Sequence, residues 1–148
     1  MSKEAKKRIL VVADDPDTLI FLANLLRCEG FDPCEAESTV DAVHQAKSRP
    51  PDIVIIDMMM AEERGIHLYR CLKGNEPWKR IPVIMLCTIE RETFFQFHNI
   101  QKFPSGRALP LPDAYLMKPF ETAALLKTVK KLTSARRIQT PAMKRMEA

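Results

Sequence analysis

No stretch of this chain is apolar for long enough to cross a bilayer, a task that takes about twenty consecutive apolar residues; the apolar runs here are strand-length. The opening Ser2 to Arg8 is basic and lacks the apolar core of a signal peptide, so no membrane association is expected and a cytoplasmic location is. The four cysteines, Cys28, Cys34, Cys71 and Cys87, include no CxxC pair and share no metal-ligand spacing with His44, His67 or His98. Structural zinc is thereby set aside, and reduced thiols are the expected state. Internal repeats and low-complexity segments are also missing.

What is present fits one domain with a tail, since 148 residues can bury a proper core without staples. The net charge is +4, and much of the positive excess lies at the ends, in Lys3, Lys6, Lys7 and Arg8 and again in Arg136, Arg137, Lys144 and Arg145. Solvated, disordered ends are the ordinary reading of such charge. Nucleic-acid binding is not expected, because no recognition motif accompanies it. The resulting division is a disordered basic segment over 1–7, a folded domain over 8–134, and a basic tail or linker over 135–148.

Within the domain, apolar strands alternate with helical periodicity. Ile9 to Val12 forms the first strand; Asp15 can cap a helix opened by Pro16, with Leu19, Leu22, Leu25 and Leu26 at helical spacing and Gly30 at its end. A short strand over about Asp32 to Ala36 contains Pro33, which cannot donate to a ladder and so suits a sheet edge. Ser38 then caps a helix, with Val40, Val43 and Ala46 expected to face inward and Pro50-Pro51 as its stop. The strand Ile53 to Asp57 leads through a loop, Met58 to Gly65, into a helix carrying Ile66, Tyr69 and Leu72. Pro82 opens the strand Val83 to Leu86. The stretch from Ile89 to Asp113 is the least regular, with Phe94, Phe95, Phe97 and Phe103 followed by several prolines. Ala114 to Met117 is the last strand, and Glu121 to Ser134 the closing helix. Five β-α repeats imply a doubly wound, three-layer α/β/α sheet.

Three of these strands stop on polar residues, at Asp14-Asp15, at Asp57 and at Lys118. In a parallel sheet such ends share one edge, so these side chains should converge into a site for a cation and a phosphate group. The separate, structural readings are an ion pair for Lys118 and a helix cap for Asp15.

The run Ile9 to Asp17, the strand ending on Asp57 with Met59-Met60 and Gly65 after it, the segment Ile81 to Leu86, and Tyr115-Leu116-Met117-Lys118-Pro119-Phe120 together resemble the receiver domain of bacterial response regulators. The resemblance spans about Arg8 to Ser134. It implies a flavodoxin-like, five-stranded parallel sheet in the order 2-1-3-4-5. It also implies a phosphorelay in which Asp57 accepts a phosphoryl group from a sensor histidine kinase or a phosphotransfer protein. Mg²⁺ would be held by Asp14, Asp57 and the carbonyl of Met59, and Lys118 would offset phosphoryl charge across a cis Lys118-Pro119 peptide. Cys87 and Tyr115 occupy the switch positions, and Cys87 and Thr88 the phosphate-binding positions after the fourth strand. A downstream protein partner would use the face made by the fourth helix, fifth strand and last helix, with a homodimer as one form of that contact.

The chain departs from this pattern in places. Aligned on Pro16, the family's acidic pair falls on Ala13 and Asp14, so one acid is missing and Mg²⁺ affinity should fall unless Asp15 reaches in. Cys87 replaces a hydroxyl residue, and a thiol is a poorer donor. The segment between Cys87 and Tyr115 is longer than usual, with Phe94, Phe97 and Gln101 on one helical stripe expected to cover the sheet. Met59 and Ile89, both apolar, occupy the two positions that flank the acyl phosphate in the family; neither can orient an attacking water, which predicts a long-lived phosphoryl group. The expected function is a non-enzymatic signalling receiver acting through protein contacts. Its rivals are a phosphate-independent interaction module and an aspartate-nucleophile hydrolase, the latter disfavoured because Met59 replaces the second aspartate of its motif.

Overall fold

A computed structural model describes residues 6–90, 92–94 and 110–138. Five parallel strands, β1 (Arg8–Val12), β2 (Asp32–Ala36), β3 (Ile53–Asp57), β4 (Val83–Cys87) and β5 (Ala114–Met117), form one sheet in the order β2-β1-β3-β4-β5. That is the expected flavodoxin-like arrangement. β3 and β4 are buried at every position, as their unbroken apolar sequences require of strands covered on both faces. Pro33 lies in β2, an edge strand, where its missing N–H costs no ladder bond on the open side.

Strand alternation sorts the core into two halves. Leu10, Val12, Val54, Ile56, Val83, Met85 and Cys87 pack with α2 (Thr39–Ser48) and α3 (Arg64–Lys73). Ile9, Val11, Ala13, Ile53, Ile55, Ile84 and Leu86 pack on the other face, with α1 (Pro16–Cys28) and the C-terminal helix (Thr122–Ile138). α1 begins as its sequence dictates, with Asp15 as the N-cap and Pro16 at the first position, and Gly30 just past its end takes φ +90°, a conformation that costs glycine nothing.

Several local expectations need correction. Val40 is 80% exposed, and α2 instead buries Ala42 and Ala46, whose small side chains at i, i+4 let the helix lie close to the sheet. α3 starts at Arg64, so Gly65 belongs to its first turn rather than to the preceding loop. The C-terminal helix continues to Ile138, beyond Ser134. Phe95, Phe97, Gln101 and Phe103 lie outside the described residues, as do 1–5 and 139–148; Phe94 is buried and packs on Tyr115 with ring centroids 6.2 Å apart.

Tertiary contacts with no sequence signature hold the start of β5. Tyr69 of α3 donates its hydroxyl to the Pro110 carbonyl, and the Asp113 carboxylate accepts the Val83 N–H at 2.9 Å. Lys73, nearly buried, donates to the Ile81 carbonyl at 2.8 Å and lies 4.0 Å from Asp113. A second cis peptide, Glu76-Pro77, precedes the short turn Trp78–Arg80. Among the described residues no helix is long and apolar enough to cross a membrane.

Candidate functional site

Parallel strands bring their carboxyl ends to one edge, and there the structure joins Asp57 to Lys118. Asp57 ends β3 and is 5% exposed. Its Oδ1 accepts the Met59 N–H at 2.9 Å, and its Oδ2 takes the Lys118 ammonium at 2.9 Å. Both oxygens are thus oriented by charge or dipole, while each keeps a lone pair for a further ligand. Lys118 follows β5 directly; its N–H donates to the Cys87 carbonyl at 2.8 Å, and the Lys118-Pro119 peptide is cis as expected.

Gly65 sets how closely α3 approaches this site, because a Cβ there would stand 3.1 Å from the Asp57 carbonyl oxygen and 3.1 Å from Met58 Cα. A side chain there would require α3 and the Asp57 peptide to move apart by a few tenths of an ångström. In the sequence this glycine read as the end of a loop and as part of the receiver resemblance; its close approach to the Asp57 peptide is a tertiary feature.

The three residues after β1 have separate fates. Ala13 is fully buried on the same sheet face as Ile9 and Val11, so the position of the missing acid is filled by a methyl group packed in the core. Asp14 is exposed, and its Oδ2 accepts the Ala61 N–H at 3.0 Å, tying β1 to the loop after β3. Asp15 is spent on the helix cap: its Oδ2 accepts the Thr18 hydroxyl at 2.6 Å and the Thr18 N–H at 3.3 Å. The Thr18 bond is the main reason its carboxyl lies below the ordinary aspartate range, with Lys118 adding a smaller attraction.

Cys87, the last residue of β4, and Thr88 just after it both reach the side chain of Met59, the thiol at 3.4 Å and the hydroxyl at 3.5 Å from its sulfur. Cys87 is wholly buried and Thr88 exposed. Tyr115 lies in the Cys87 half of the core, donates its hydroxyl to the Ile89 carbonyl at 2.5 Å, and has its phenol pushed far above the usual range, chiefly by burial and next by Cys87. The two expected switch residues are therefore neighbours. The contact from Met59 sulfur was not foreseen, since nothing in sequence reveals which way a loop methionine turns.

Among the described residues no three acidic, histidine or cysteine side chains gather as a metal site. What remains are the carboxylates of Asp14 and Asp57 at adjacent strand ends and the Met59 carbonyl. These are hard oxygen donors, and Mg²⁺ needs only one or two carboxylates when water fills its other positions, so the donor set suits it.

The sequence matches the response regulator receiver domain family over residues 9–130. The chain belongs to that family. Protein PilH of Pseudomonas aeruginosa is 32% identical to the receiver over 122 residues, covering 82% of this chain and 93% of PilH. The phosphate regulon transcriptional regulatory protein PhoB of the same organism is 35% identical over 130 residues, 86% of this chain and 53% of PhoB. The receiver thus spans about half the length of several curated relatives it matches, PhoB among them. Among solved structures, the signal receiver domain of a signal transduction histidine kinase from Syntrophus aciditrophicus superposes with a TM-score of 0.75 at 26% identity, covering 91% of this chain and 96% of that one.

Proposed function

We propose that the receiver accepts a phosphoryl group on Asp57 from a phosphohistidine and signals through protein contacts, turning over no substrate of its own. One observation carries the reading: Asp57 and Lys118 meet at 2.9 Å at the carboxyl edge of the sheet, with the carboxylate almost wholly buried. A carboxylate and a phosphoryl group repel, and a fixed ammonium between them offsets that repulsion in the transition state. An Asp57 oxygen forms the new bond to phosphorus as the phosphorus–nitrogen bond of the donor histidine breaks, and the imidazole leaves with the electron pair. The Met59 N–H keeps the carboxylate from rotating. Asp14, Asp57 and the Met59 carbonyl would hold Mg²⁺, which supplies further charge neutralisation when bound.

The donor partner is a sensor histidine kinase or a phosphotransfer protein. For the output, exposed Leu111 before β5 and Met117 at its end provide apolar surface for a downstream protein or a second copy of the chain. A second reading, a phosphate-independent interaction module, draws support from Ala13 and from the commitment of Asp15 to its helix cap. To decide, the protein is incubated with phosphoramidate and Mg²⁺, reduced with borohydride and mapped by peptide mass. Conversion of residue 57 to homoserine is the expected result; intact Asp57 in every peptide would favour the module.

A further inference from the structure

We propose that Met59 is a site of reversible oxidation, whose sulfoxide oxygen is held by the Thr88 hydroxyl and the Cys87 thiol and slows phosphorylation of the receiver. The effect on phosphorylation rests on Asp57 being the phosphoacceptor; the modification itself does not. Three methionines follow Asp57, and the fold treats them differently. Met58 and Met60 are buried, whereas Met59 is 44% exposed. Its side chain lines a cavity of about 280 Å³ with Glu62, Ile89 and Phe94, ample for an oxidant hardly larger than water. Met117 is equally open at 47%, but among the described residues no hydrogen bond reaches its sulfur. The Met59 sulfur has two donors against it, the Cys87 thiol at 3.4 Å and the Thr88 hydroxyl at 3.5 Å.

Those donors are poorly matched to what they now touch. A thioether is a weak acceptor, and a sulfoxide is polar, with an oxygen that accepts strongly. With hydrogen peroxide as the oxidant, a lone pair on the Met59 sulfur attacks one peroxide oxygen. The sulfur–oxygen bond forms as the oxygen–oxygen bond breaks, sulfur is oxidised by two electrons, and the departing hydroxide takes the proton of the transferred oxygen and leaves as water. Sulfoxides elsewhere disrupt packing because the new oxygen lacks a partner. Here a hydroxyl and a thiol already stand beside the sulfur, and the hydroxyl is the better donor of the two. Both lie at positions that the family resemblance assigns to phosphate binding, so a sulfoxide that occupies them withdraws them from an incoming phosphoryl group. Reductases that restore methionine make the change reversible.

The test takes wild type, Met59→Leu and Thr88→Val, each before and after limited hydrogen peroxide. Dithiothreitol then returns oxidised thiol pairs and leaves sulfoxide in place. Peptide mass, thermal midpoint and the rate of labelling by acetyl phosphate with Mg²⁺ are read, every change being referred to the same protein untreated. Met59→Leu thereby reports oxidation at all other methionines. Sulfoxide should form at Met59 and Met117 well before Met58, Met60 and Met85, which are buried. Oxidation should lower the midpoint more in Thr88→Val than in wild type, since the variant leaves the new oxygen without its hydroxyl. Peroxide should slow wild-type labelling roughly fivefold, about the worth of one hydrogen bond, and leave the rate of Met59→Leu where its own untreated sample stands. Met59 still unoxidised when Met117 has converted, or equal midpoint losses in wild type and Thr88→Val, would overturn the site. Full conversion of Met59 with unchanged labelling would overturn its effect on phosphorylation. Untreated wild type that takes no label would overturn the Asp57 reading and that effect with it, while the site itself stands or falls on the peptide map and the midpoints.

Discussion

Lys118 Nζ lies 2.9 Å from Asp57 Oδ2, and the two side chains are unequally sheltered, the carboxylate at 7% exposure and the ammonium at 26%. Removing the lysine leaves a largely buried carboxylate with, among the described residues, the Met59 N–H as its partner, whereas removing the acid leaves an ammonium that can turn to water. Lys118→Met should therefore destabilise the fold by about 1–3 kcal/mol, the lower part of the range for broken buried pairs because the lysine is partly solvated. Asp57→Asn should cost less. The double variant should be more stable than the sum of the single losses by about 1 kcal/mol, as urea unfolding of all four proteins would register.

Ala13 marks the acid this site lacks. Ala13→Asp should tighten Mg²⁺ binding by roughly tenfold, or about 1.4 kcal/mol, measured by titration calorimetry. In the absence of metal the same variant should lose stability, since a carboxylate replaces a fully buried methyl group, and saturating Mg²⁺ should restore much of the loss. Trp78 is a poor reporter for this experiment: it precedes β4, at the sheet edge opposite Asp57.

Asp15 should matter to the helix rather than to the metal. Asp15→Ala is expected to leave Mg²⁺ affinity near wild type while lowering the thermal midpoint at neutral pH. Its carboxyl titrates below the ordinary 3.8 in the folded protein, chiefly because of Thr18, so the charged form is the stabilising one. The gap between wild type and variant is then full above pH 3.8 and closes as pH falls through the folded-state value. A gap unchanged at acid pH would contradict the capping role.

Both tyrosines of the chain should resist alkaline titration. Burial raises the phenols of Tyr69 and Tyr115 above their ordinary value of 10.0, with Asp113 adding to the first and Cys87 to the second. Their neutral forms stabilise the fold below pH 10, and that contribution is lost as pH rises beyond it. Tyrosinate absorbance should consequently appear together with loss of helical circular dichroism, not ahead of it.

The five strands, the edge strand and the Asp57–Lys118 pairing were legible because each follows from a local pattern: apolar runs of strand length, a proline in one of them, and charged residues at strand ends; the sheet order came from the family resemblance alone. The site's finer geometry was legible only in part. Opposite faces for Cys87 and Thr88 follow from strand alternation, but which of the two shares a face with Asp57 depends on the register between β3 and β4, a tertiary quantity. The same holds for Tyr69 and Lys73, whose apolar helix face predicts burial but not their grip on Pro110, Ile81 and Asp113. Val40 misled because a β-branched residue in a helix's first turn looks like core in a period count, while the two alanines that do face the sheet carry almost no hydropathy signal.

The account stands on Asp57 as phosphoacceptor, and the most direct test is intact-protein mass after incubation with acetyl phosphate and Mg²⁺, for wild type and Asp57→Asn together. One phosphoryl addition to wild type, absent from Asp57→Asn and surviving for minutes after the donor is removed, is the predicted result. No addition to wild type, or an equal addition to the variant, would contradict it.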